Sequence, residues 1–212
     1  KNNEPLQELP WKVNVKTYDE VYQEALRDGG DALVKEIDEF LLQAKEKIEK
    51  GELSIPEASF QLIEKTLLHL KDTSPLVVLA MAPPYYPNTN ISMVPEKGKE
   101  IYSLLEKLEA ITKDALDCSF HVKNYYTGIS DLSYGLFEAS QENVDFIENN
   151  MLLWGDIYSI PFDVIKDLSI PVLNIGPWGK DFHKYTERVY LKDLYDRIPL
   201  LVQETIKQLL NN

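Results

Sequence analysis

Pro75-Leu-Val-Val-Leu-Ala-Met-Ala82 is a continuous apolar run with no polar alternation. A strand with one wet face alternates apolar and polar residues, whereas a strand buried on both faces does not. The run therefore calls for a layer on each side of a sheet, the arrangement of α/β proteins whose crossover helices cover parallel strands. The sequence before the run reads as one strand and three helices. Trp11 to Thr17 alternates like a half-buried strand, and Thr17-Tyr-Asp-Glu20 is a capping box that opens a helix ended by Gly29-Gly30. Asp31 to Lys50 carries Leu33, Val34, Ile37, Phe40, Leu41, Ala44 and Ile48 at helical period, and Gly51 stops it. Ser54-Ile-Pro-Glu57 is a second capping box, with Pro56 tolerated in the first turn of a helix reaching Leu70.

Beyond the run, Pro83-Pro84-Tyr85-Tyr86-Pro87 is a stiff aromatic loop, readable as a pocket wall or as a rigid strand exit. Lys97 to Leu116 is amphipathic, Ser119 to Tyr126 is a second strand candidate, and residues 132–168 are mixed. Residues 171–175 and 188–191 read as two further strands, and Asp193 to Leu210 as a closing helix. Strand, helix, strand, helix, strand implies a parallel or mixed sheet with crossover helices. The expected organisation is a mostly helical segment over 1–73, either a lid return or an insertion, and an α/β part over 74–212.

The 212 residues are enough for one domain or two small ones. A net charge of -13 argues against a nucleic-acid surface, and no Lys/Arg cluster reverses that. The single cysteine, Cys118, excludes an internal disulfide and a cysteine-based metal cluster. No secretory leader or run of ~20 apolar residues is present, so the expectation is a cytoplasmic protein without a membrane partner. The chain opens on Lys1 rather than Met, as a piece of a longer protein would.

The candidate chemistry lies late in the chain. Val172, Leu173 and Ile175 lead into Gly176-Pro-Trp-Gly179, and His183 follows, then Glu187-Arg188. Loops at the carboxyl ends of strands are where α/β proteins build sites. A neutral imidazole there is a good zinc ligand, although a lone His is more often structural or at the surface. Glu187 and Arg188 read as a local surface ion pair, His69 as a helix-packing residue and His121 as a strand residue. Gly128-Ile-Ser130-Asp131 is the second candidate. A Gly turn opening a helix can offer backbone N–H groups to an anion, while the plainer reading has Ser130 or Asp131 capping that helix. Ser130 is in no nucleophile-elbow pattern.

These segments together resemble the C-terminal signature of the di-zinc aminoacylase/carboxypeptidase hydrolases, which include desuccinylases. The family text is a Gly-Gly-Thr-Asp turn, then Ile-Pro…Gly-Pro-Gly, then a His and Glu-Arg-Val. Pro83-Pro-Tyr-Tyr-Pro87, Ile129-Ser-Asp-Leu-Ser-Tyr134 and Asn174-Ile-Gly-Pro-Trp-Gly-Lys-Asp-Phe-His183 look most like the arginine-utilization branch. The resemblance implies that His183 is a zinc ligand, that Gly128 and Ser130 contact substrate, and that Asp131 holds the turn. Ile129 replaces the family's second Gly. The family's His-x-Asp motif and Glu-Glu pair are absent from this chain. The resemblance therefore implies the C-terminal portion of an amide or peptide hydrolase in arginine or amino-acid catabolism. Such a portion would be inactive without the N-terminal half that supplies the other ligands and the base. Zinc would be bound by the whole protein rather than by this chain, the substrate would be small and amino-acid-derived, and a homodimer is possible. The rival reading is a small-molecule binding or scaffold domain that keeps the fold without metal.

Overall fold

The computed structural model describes residues 13–93, 95–116, 118–123, 130–155 and 157–210. It is mixed α/β and mostly helical. Its elements are β1 (Asn14–Thr17), α1 (Tyr18–Gly29), α2 (Asp31–Glu49), α3 (Ile55–Leu68), β2 (Leu76–Leu79), α4 (Pro95–Leu116), α5 (Gln141–Asn150), α6 (Phe162–Leu168), β3 (Gly179–Lys180), β4 (Arg188–Val189) and α7 (Ile198–Leu210). The chain divides into two compact units. One comprises the residues up to Tyr85 with Ala139–Ile160; the other comprises Tyr86–Glu138 with the residues from Pro161 onward.

In the first unit both capping boxes form. Thr17 Oγ1 accepts from Glu20 N–H at 3.3 Å while Glu20 accepts from Thr17 N–H at 2.7 Å. Ser54 and Glu57 repeat the exchange at the start of α3. The apolar stripe of α2 (Leu33, Ile37, Phe40, Ala44) is buried with Tyr18 and Ala25 of α1, Ala58 and Leu62 of α3, and Leu152 and Leu153 after α5. Tyr18 lies 3.2 Å from Thr66 Oγ1 inside this core, and burial pushes its phenol up to about 12. β1 and β2 pair in parallel, Val15 opposite Val77 and Thr17 opposite Leu79. The pairing joins the strand before the helices to the apolar run after them. Asn150 ties α5 to this ladder. Its carbonyl accepts from Met81 N–H at 2.8 Å and its side-chain oxygen from Asp19 N–H at 3.0 Å. His69 packs between helices, with Nε2 2.9 Å from Glu36 Oε2.

The apolar run was expected to be buried on both faces. Val78 does pack on the helical core, but Val77 and Leu79 are exposed on the opposite face beside Val15. Only one layer covers the sheet among the described residues.

In the second unit α4 packs along α7 through Leu104, Leu108 and Leu201, with Phe120, Ile175 and Ile198 partly buried beside them. Phe137 stacks on Phe162 at 4.4 Å. Two expected strands do not form. Residues 119–123 carry no strand, and 124–126 lie outside the described residues. Residues 171–175 run without a ladder, their apolar side chains only partly buried. That segment crosses Gly135, where an added Cβ would meet the Val172 side chain at 2.5 Å. A short, mostly apolar segment can satisfy its burial by such packing, without strand pairing. The last predicted strand shortens to Arg188–Val189, and its partner is β3, antiparallel.

Candidate functional site

His183 sits in the loop of the β3–β4 hairpin. Gly179 pairs with Val189 and Lys180 with Arg188, so residues 181–187 form the connection. Gly179 is required by the pairing itself, because a Cβ there would meet the Arg188 carbonyl oxygen at 2.7 Å. The loop is closed by its own bonds. Lys184 N–H donates to Asp181 O at 3.0 Å, Glu187 N–H to Lys184 O at 3.0 Å, and Thr186 Oγ1 to Asp181 Oδ2 at 3.1 Å. Asp181 and His183 both take left-handed backbone, φ 58° and 59°. For residues with a Cβ this costs about 1–2 kcal/mol each, so the surrounding bonds must hold it.

One of those bonds explains the Glu-Arg dipeptide. Glu187 Oε2 accepts from His183 N–H at 3.2 Å, and Arg188 pairs instead with Asp181 at 3.6 Å. The expected Glu187–Arg188 ion pair does not form; each side chain braces the far side of the loop. At the base of the hairpin Tyr190 N–H donates to Trp178 O at 2.9 Å, and Asp193 Oδ2 accepts from Trp178 N–H at 3.1 Å. Arg197 bonds Asp193 at 2.8 Å and holds that carboxylate below its usual range. Asp193 and Arg197 lie four apart, a helical pair legible in the sequence but not singled out from it. The backbone of His183 is thus anchored while its side chain is exposed. No hydrogen bond reaches the ring among the described residues.

The second candidate is a turn. Ser130 is the cap of a 3-10 turn over Asp131–Tyr134, its Oγ accepting from Leu132 N–H at 3.4 Å. Its hydroxyl also lies 3.5 Å from Asn174 Oδ1, which brings the turn beside the segment leading to His183. Asn174 was not anticipated as a neighbour, since only folding brings residues 130 and 174 together. Asp131 is exposed, and Gly128 lies outside the described residues. Tyr86 of the Pro-Pro-Tyr-Tyr loop packs on Tyr134, the last residue of this turn, at 5.5 Å between ring centroids. The Tyr85 N–H donates to Tyr158 Oη at 2.7 Å. No hydrogen bond or ion pair joins His183 to Ser130 or Asp131 among the described residues. Nor do the described residues bring together three His, Cys, Asp or Glu side chains able to hold a metal. No helix among them is long and apolar enough to cross a membrane.

This chain is similar to RocB of Bacillus subtilis (strain 168). The identity is 29% over 210 residues, covering 99% of this chain and 36% of RocB. It is also 31% identical over 207 residues to the uncharacterized protein YqjN of the same organism, covering 98% of this chain and 36% of YqjN. RocB is the relative that the Gly176-Pro-Trp-Gly…His183 text pointed to. The chain spans about a third of the length of these two relatives. No family model and no solved structure matches it.

Proposed function

We propose that this chain is the C-terminal part of a zinc-dependent amide hydrolase that acts on a small amino-acid-derived substrate in arginine catabolism, in the cytoplasm. The observation that carries the reading is the similarity to RocB along nearly the whole chain, over a stretch whose most distinctive text ends in the braced His183 loop. His183 fits a zinc ligand in one respect: a fixed backbone carries an exposed imidazole with no competing hydrogen bond, as a ring needs if its nitrogen is to be given to a metal. The set does not fit a complete centre, because one imidazole leaves the remaining coordination positions and the base to residues outside this chain. A metal held in such a site would activate a water and polarise the amide carbonyl. What this chain contributes is placement. Glu187 and Asp181 lock the loop carrying His183, and the Ser130 turn with Tyr86 offers a hydroxyl and an aromatic face to a small substrate. Gly128 and Asp131 belong to the same proposed contact region.

Zinc content tests this. Elemental analysis of the full-length protein should give about two zincs, as a co-catalytic pair requires, and His183→Ala should bring it toward one. Absence of zinc from both proteins would leave the metal-free binding or scaffold reading in its place.

A further inference from the structure

The β1–β2 ladder has one covered face and one bare face. Val78 points into the helical core. Val15, Val77 and Leu79 stand on the other side, 60%, 45% and 57% exposed. Val15 and Val77 are register partners and Leu79 follows two residues on, so the three make one apolar strip. Parallel strands occur almost only with both faces covered, and a two-stranded ladder is marginal without neighbours. Among the described residues β1 has only β2 as ladder partner, while just beyond β2 Met81 bridges Met151 in parallel, so it is the outer edge of β1 that stays open. That edge lacks the usual protection: Lys16, the charged residue of β1, is turned to Glu24 of α1.

We propose that this face receives a further β/α layer of the same polypeptide, drawn from the length that RocB and YqjN have beyond the part this chain spans. Two arguments select that occupant over a second copy. Three half-exposed aliphatic side chains offer far less than the ~800 Å² per partner that a stable dimer buries, whereas a segment tethered in the same chain needs no such area. The relatives are also nearly three times the length of the matched stretch, so the material for such a layer exists in them. The second unit shows a parallel demand. On α7, Val202, Ile206, Leu209 and Leu210 are exposed at helical spacing while Leu201 faces α4, so the helix is apolar over more of its circumference than one neighbour covers.

The proposal rests on the reading above only in requiring a longer parent protein; it does not require zinc. Hydroxyl-radical footprinting of the full-length protein reads it, with Leu42 of α2, 66% exposed, as the internal reference. Labelling follows exposed area, so docking that buries Leu79 and Val77, now 57% and 45% exposed, should remove most of their labelling relative to Leu42. Leu79→Lys should lower the melting temperature and Leu42→Lys should not. Labelling of Leu79 equal to that of Leu42 overturns the proposal. So does a dimer that Leu79→Lys dissociates, which would assign the face to a second copy. Zinc measured on the same preparation separates the two readings: a protected face without zinc sinks the hydrolase and keeps the docked layer, and zinc with a labelled face does the reverse.

Discussion

The two glycines of Gly176-Pro-Trp-Gly179 look equivalent in the sequence, and the structure gives them opposite sensitivities. Gly179→Ala places a Cβ 2.7 Å from the Arg188 carbonyl oxygen and 3.2 Å from the Phe182 ring. Arg188 is backbone in the partner strand, so the clash cannot be relieved by rotating a side chain. The strands must separate by several tenths of an ångström, and in a ladder only two residues long that threatens every pairing bond. Overpacking of this kind costs about 1–3 kcal/mol. Applied to local opening of the hairpin, that raises the open fraction about 5- to 150-fold. The Tyr190 amide, which donates to Trp178 O at 2.9 Å, reports the opening by native-state hydrogen exchange. A Cβ added at Gly176 meets nothing within 4 Å, and its φ is not left-handed. Gly176→Ala should therefore leave Tyr190 protection unchanged and stabilise the fold by at most about 1 kcal/mol through the unfolded chain. Equal protection of Tyr190 in Gly179→Ala and wild type would refute the argument that the hairpin depends on strand approach at Gly179. Loss of protection in Gly176→Ala would refute the contrast. If His183 binds metal, Gly179→Ala should also weaken zinc retention, because the loop that anchors His183 closes on this ladder.

Leu33→Ala removes a fully buried side chain at the centre of the first unit and should cost about 3–5 kcal/mol, measured by urea denaturation; a loss under 1 kcal/mol would mean the unit collapses around the site. Glu36 is held below the usual carboxylate range chiefly by the hydrogen bond from Lys65, then by His69. A carboxyl depressed in the folded state stabilises above its unfolded pKa of about 4.3 and loses that contribution as pH falls through the folded value. The melting difference between wild type and Glu36→Gln should therefore be present at pH 7 and vanish in the acid limb; a difference independent of pH would exclude the carboxylate as its source.

Local signals carried most of the helical structure. Thr17-Tyr-Asp-Glu20 and Ser54-Ile-Pro-Glu57 form the reciprocal bonds their spacing implies, because a capping box is complete within four residues. The α2 stripe points at the core for the same reason: periodicity on one helix decides its buried face. Residues 132–168 were illegible because their helices, α5 and α6, are ten and seven residues long, too short for period to declare itself. Residues 171–175 show the converse failure. Their apolar run says that they are partly buried, and it does not say whether by a ladder or, as here, against Gly135. At the candidate site, the loop and its His were legible as text. The left-handed backbone of His183 and the Asp181–Arg188 pair were not, since φ at a single non-glycine residue leaves no mark in composition.

The discrepancy at β2 differs in kind. Pattern says that Leu76-Val-Val-Leu79 is covered on both faces; the described structure covers one. A permanently wet face would be expected to alternate, with polar residues at 77 and 79, as antiparallel sheets facing water do. Neither position is polar, and Val15 opposite Val77 is not either. Two strands read independently thus carry apolar residues on the same uncovered face, which a chance surface leucine would not produce. The pattern and the fold are reconciled if the sheet is larger than this chain, and that is also what a third-length match to RocB and YqjN allows.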